Sequence, residues 1–131
     1  MNSFYRSTVI SLYEMIAKQY PEQTVNFIQQ QYSLLLSEST TPSQLFSFLC
    51  MIERGGGYIA RYLNYQQLYV DLIYPILSKH NHAVVVMECI LVVKSSYHLF
   101  SSSEQESCIS FLSSLVTLPF LTVFFLLLNS L

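Results

Sequence analysis

"AVVVMECILVVKSSYHLF", residues 83 to 100, decides the fold class. Its Val84-Val85-Val86 and Val92-Val93 runs are β-branched, and such side chains suit a buried strand. Its length argues for a helix. The run is about three times as long as a common strand of 5–6 residues, Asn81 stands where a helix N-cap belongs, and no second run elsewhere offers a partner strand. The helix reading predicts an element over 82–99 that is apolar nearly all round, with Glu88 and Lys94 marking its one wet edge. A helix of that kind is packed on several sides, so the rest of the chain must supply the elements that cover it.

Working outward, the punctuation is helix-start chemistry. "TTPSQ" places Thr41 as N-cap, Pro42 at the first helical position and Gln44 as the reciprocal capping-box partner. "SSEQE" repeats the pattern with Ser103 and Glu106, and "NYQQ" offers Asn64 with Gln67 behind it. Pro21 fits a first turn after a break at Tyr20, and Gly55-Gly56-Gly57 ends a helix and opens a turn. These marks predict helices over 3–20, 21–37, 42–54, 58–63 with 65–78, 82–99 and 103–118. Apolar residues recur within them at three- and four-residue spacing: Phe4, Val9, Ile10, Tyr13, Ile16 and Ala17 in the first; Val25, Ile28, Tyr32, Leu35 and Leu36 in the second; Leu45, Phe48, Leu49 and Ile52 in the third. Pro75 removes a backbone donor inside "LYVDLIYPILSKH" and should kink that segment.

Taken in pairs, the helices form units near 3–37, 42–78 and 82–118, whose starts fall about 40 residues apart. In this architecture the chain resembles HEAT and armadillo helical repeats across most of its length. The resemblance implies an all-α fold of antiparallel helix pairs stacked as a short α-solenoid over 1–118; an irregular helical bundle is the alternative. It also implies a protein-binding scaffold.

Composition narrows the function. Of the 131 residues, 52% are hydrophobic and 11% charged, where an ordinary soluble domain carries about 25% charged residues. Surface this apolar calls for a cover: another protein, the remainder of a parent chain, or a membrane. A net charge of −2 with six scattered Lys and Arg leaves no electrostatic footprint for direct nucleic-acid contact. Cys50, Cys89 and Cys108 are odd in number and sit in apolar surroundings, which reads as buried, reduced thiols. The first 20 residues are interrupted by Arg6, Glu14 and Lys18 and do not form a signal peptide, and no asparagine begins a glycosylation sequon. Both point to an intracellular address, cytoplasm or nucleus.

Residues that resemble sites have structural readings. His80 and His82, followed by Glu88 and Cys89, are donor types for zinc, but a helix starting at His82 would carry the last two about 9 Å along its axis. An exposed turn is the better account. "ERGGGYIARY" lacks the Lys and Ser/Thr of a phosphate loop and follows a helix, so it is a bent connection; any ligand there would be an acidic peptide held by Arg54 and Arg61. No nucleophile has a base beside it in sequence, and the chain is read as a non-enzyme with no catalytic, cofactor or metal site. Ser101 or Ser103 would take a phosphate favourably at a helix start. The densest tyrosine cluster marks the expected protein-interaction surface: Arg54, Tyr58, Arg61, Tyr62, Tyr65 and Tyr69.

The last residues are uncharged from Cys108 to Leu131. That length suits a membrane span of about 20 residues, and a tail-anchored adaptor using residues 110–131 is the alternative function. The dense apolar core, Leu115 to Leu128, is shorter than a span and lacks flanking Lys or Arg. An apolar tail at 119–131, from a fragment or alternative C-terminus of a longer repeat protein, is the primary expectation.

Overall fold

The computed structural model describes residues 3–37, 40–79, 82–114, 122, 125 and 129. Among the described residues the regular structure is helical and no strand occurs. The ambiguous stretch is helix, and the chain is all-α.

Helix α1 (Ser3–Gln19) and helix α2 (Pro21–Ser37) meet at an elbow on Tyr20. The Tyr20 amide donates to Ile16 O at 2.7 Å, and its carbonyl accepts from Thr24 N at 3.0 Å and Thr24 Oγ1 at 2.8 Å. One residue therefore closes the first helix and opens the second. Pro21, at the start of α2, has no N–H to leave orphaned there.

Helix α3 (Pro42–Ile59) begins with the expected capping box: Gln44 N donates to Thr41 Oγ1 at 3.2 Å and Thr41 N donates to Gln44 Oε1 at 2.9 Å. The glycine trio interrupts it, as expected. Gly56 adopts φ 47°, ψ −130°, which kinks the helix, and helical turns continue to Ile59 before a 3₁₀ turn over Ala60–Tyr62. Glycine is the residue that adopts this backbone without strain, so the trio acts as a bend.

Asn64 caps the short helix α4 (Tyr65–Leu68) by accepting from Gln67 N at 3.1 Å. A π turn over Tyr69–Ile73 follows, then helix α5 (Tyr74–Lys79). Pro75 has no N–H for the carbonyl of Asp71 and its ring would crowd that carbonyl. The chain widens ahead of it, with Tyr74 N bonding Tyr69 O five residues back. The expected kink is thus taken up as a π bulge.

Helix α6 (Ala83–Ser96) starts at His82, whose side chain makes no capping bond; the expected cap, Asn81, lies outside the described residues. Val85, Val86, Cys89, Val92 and Val93 are buried, and so is Glu88, at 7% exposure. Only Lys94 of the predicted wet edge is wet. Helix α7 (Ser102–Ser114) is capped two residues earlier than predicted, with Glu104 N donating to Ser101 Oγ at 3.4 Å rather than through Ser103 and Glu106.

The core lies between α3 and α6, the most extensive helix pair, and α1 and α2 pack on the other sides of α3. Leu49, Ile52 and Ile59 from α3 interlock with Val85, Cys89 and Val92 from α6 and with Ile73 from the π turn. At roughly 1.5–3 kcal/mol for each fully buried large aliphatic side chain, this layer is the main source of stability. The stripes predicted for α2 and α3 face inward: Val25, Ile28, Leu45, Phe48, Leu49 and Ile52 are buried.

A candidate interaction surface

The predicted interaction cluster divides when placed in the fold. Tyr65 and Tyr69 are internal, at 6% and 3% exposure. Their rings lie 6.4 and 5.4 Å from that of Phe100, and the Tyr69 hydroxyl is 2.7 Å from Ser107 Oγ, joining the π turn to α7. Burial pushes the Tyr69 phenol up to about 12. These two tyrosines are packing residues, a correction to the expected surface. Four residues apart, they share one inward side of α4 and the turn that follows, while Gln66 and Gln67 are exposed.

The other four remain at the surface to different degrees. Tyr58 is 47% exposed. Arg61 is exposed with its guanidinium 5.3 Å from the ring centre of Tyr62, itself half-buried. Arg54 Nε lies 3.2 Å from Glu53 Oε2, and its Nη1 lies 3.9 Å from Glu14 Oε1 on α1. The two arginines therefore each have a neighbour within the chain.

A second group of polar residues gathers where α1 and α6 meet α3. The Tyr13 hydroxyl donates to Met51 O at 2.6 Å, and burial, with lesser help from Cys50 and Tyr65, raises its phenol to about 12. Glu88 is raised above the ordinary carboxylate value by burial first and by Glu53 second; Arg54 and Arg6 oppose this. Cys50 is raised by burial and then by Glu88, while burial alone leads for Cys89, at about 12, and for Cys108. All three thiols thus stay protonated at neutral pH, the opposite of what an activated nucleophile requires. His82 is exposed at the start of α6, Cys89 and Glu88 point into the core, and His80 lies outside the described residues. Among the described residues no group of three or more His, Cys, Asp or Glu is placed to hold a metal ion.

Among the described residues, α1 exposes more large apolar side chains than any other helix. Its inner side, Ile10, Tyr13 and Ala17, faces α3, and Ala17 is fully buried. Its outer side is open: Phe4 is 73% exposed, Tyr5 60%, Val9 53%, Leu12 51%, Met15 55% and Ile16 44%. At 100° per residue these six fall within one arc, so the helix carries two apolar faces and buries one. The predicted stripe of α1 merged them. Phe4, Val9 and Ile16 belong to the outer face, which Tyr5, Leu12 and Met15, absent from that stripe, complete. The signal was present in the sequence as apolar residues at 5, 9, 12 and 16 running beside those at 10, 13 and 17.

No helix among the described residues is long and apolar enough to cross a membrane. The tail at 119–131 lies, apart from Thr122, Phe125 and Asn129, outside them. The chain matches no family model, and no curated protein or solved structure is similar to it at a significant level.

Proposed function

We propose that this chain is a non-enzymatic protein-interaction scaffold, a short stack of helix pairs that docks a protein partner on the outer face of α1. The carrying observation is that face: six apolar side chains, each 44–73% exposed, on one side of a helix whose other side is packed. Contiguous apolar surface of this kind marks a protein or membrane contact. The stacked-pair reading is supported by the order of packing, in which α3 lies against both α1 and α6, the first helices of the neighbouring units. Tyr58, Arg61 and Tyr62 form a separate, smaller surface at the bend. Three cysteines, odd in number and too sparse for a disulfide framework, support an intracellular address, in cytoplasm or nucleus.

The test is a photo-crosslinking amino acid placed at Val9 in the full chain in cells, with Lys94, exposed on α6, as the control position. The scaffold reading expects a covalent protein adduct from Val9 and none from Lys94. No adduct at Val9, or equal adducts at both, would overturn it.

A further inference from the structure

Resting on the reading of α1 as a docking face, we infer that its occupant is a second copy of this chain, seated α1 against α1. The register carries the inference. Tyr5, Val9, Leu12 and Ile16 follow one another at spacings of four, three and four, which is the seam of a coiled coil. Val9 and Ile16 fall where β-branched side chains favour a two-stranded coil, and Leu12 falls at the intervening position where leucine completes that preference. All four side chains are in reach of a partner, being 60, 53, 51 and 44% exposed.

Nothing charged on this face would reject an identical face. The positions flanking the seam are Arg6, Thr8, Tyr13 and Met15. Arg6 is the one charge among them, and its guanidinium is turned onto the Phe46 ring of α3, 5.8 Å from the ring centre. Tyr13 is drawn the same way by its bond to Met51 O. Glu14 approaches Arg54 instead of the seam. Two identical apolar faces related by a two-fold axis then satisfy each other and close the assembly at two chains.

Area agrees. With residue surfaces of about 150–250 Å², the six outer residues together expose on the order of 650 Å², against roughly 800 Å² per partner in a standard interface. A free peptide the length of α1 would hardly hold its helix in water. Here α3 holds the helix in advance, so its ordering cost is not charged to association.

Sedimentation velocity of the full chain under reducing conditions, at tens of micromolar, tests the inference. The expected particle is two chains of 15.1 kDa each. Leu12→Glu and Val9→Lys should each weaken self-association at least ten-fold without changing the far-UV circular dichroism. Ile109→Glu, at a residue 54% exposed on α7, should leave the dimer intact. A wild-type monomer overturns the inference, as does an oligomer that survives both α1 variants or dissolves equally with Ile109→Glu. If the wild type is monomeric while Val9 crosslinks to a different protein, the docking face stands and the second copy falls. If Val9 crosslinks to nothing, both fall.

Discussion

Helices α1 and α6 are both rich in apolar residues, yet the fold treats them oppositely. Helix α6 turns seven residues into the interior, Glu88 and Ser96 among them, whereas α1 buries Ala17 alone. Helix α6 is the more apolar of the two in composition, and place in the stack widens the difference. Helix α6 has α3 on one side and the π turn with α5 on another, whereas α1 lies at the edge of α3 with its far side uncovered. Among the described residues, an apolar helix is core where a neighbour reaches it and stays exposed where none does. The largest expected effect breaks that comparison open. Val92→Asp places an unpaired carboxylate at a position of zero exposure on α6 and should cost upwards of about 4 kcal/mol, enough to abolish cooperative thermal unfolding. Leu12→Asp on α1 should change the stability of the monomeric chain by no more than about 0.5 kcal/mol, as surface changes typically do. Equal loss from the two would mean that α1 is as much core as α6.

The kink in α3 offers the next largest effects, because it sets how α1 and the layer beyond meet the hub. A Cβ at Gly55 would lie 2.5 Å from Ile59 Cδ1 and 3.1 Å from the Tyr13 hydroxyl. Ile59 is fully buried, so it has little room to yield, and Gly55→Ala should cost about 1–3 kcal/mol by overpacking. Gly56→Ala meets no atom but must hold a φ of +47°, which should cost about 1–2 kcal/mol. Gly57→Ala faces open space and should be neutral or stabilise by up to about 1 kcal/mol. Chemical denaturation of the three variants gives the order. If Gly55→Ala were the mildest, the close approach of α3 to α1 at this bend would be wrong.

How much was legible follows the same division. Helix starts governed by local chemistry were readable: Thr41 with Gln44, Asn64 with Gln67, and the break at Pro21 all stand where the sequence puts them. The class of residues 83–100 was readable because length and the want of a partner strand outweighed β-propensity. What local chemistry leaves open was missed. Glu88 looked like an edge residue by its charge, but α3 and α1 supply Arg54 and Arg6 near enough to oppose its rise. Tyr65 and Tyr69 counted as surface by residue type, and only the π turn ahead of Pro75 and the position of Phe100 turn them inward. The outer face of α1 was visible as excess apolar positions, but its exposure depends on which neighbours exist.

Thr41→Ala sharpens the local side of this comparison. It removes the acceptor for Gln44 N and, with it, half of a reciprocal pair at an exposed helix start. The expected loss is about 1 kcal/mol, measured by urea unfolding. Because the cap is remote from the α3–α6 layer, it should add independently to Gly57→Ala. Strong non-additivity would show that the start of α3 and its bend are coupled.

The smallest effect probes the charged group caught between the two regions. Glu88 sits on α6, faced by Glu53, Arg54 and Cys50 of α3 and by Arg6 of α1. Burial raises its folded value above the ordinary 4.5. The folded state therefore holds this proton more tightly than the unfolded chain does, so the stability linked to it is complete below pH 4.5 and declines as pH rises through the folded value. Glu88→Gln keeps the shape and removes the ionisation. It should raise the melting midpoint at pH 7 by no more than a few degrees, and the gain should vanish in melts below pH 4.5, where the wild-type carboxyl is already neutral in both states. A gain of the same size at both pH values would trace to packing or hydrogen bonding at residue 88. A loss at pH 7 would show that attraction to Arg54 and Arg6 outweighs the cost of burying the carboxylate, and that α6 is fastened to α3 and α1 by charge as well as by its valines.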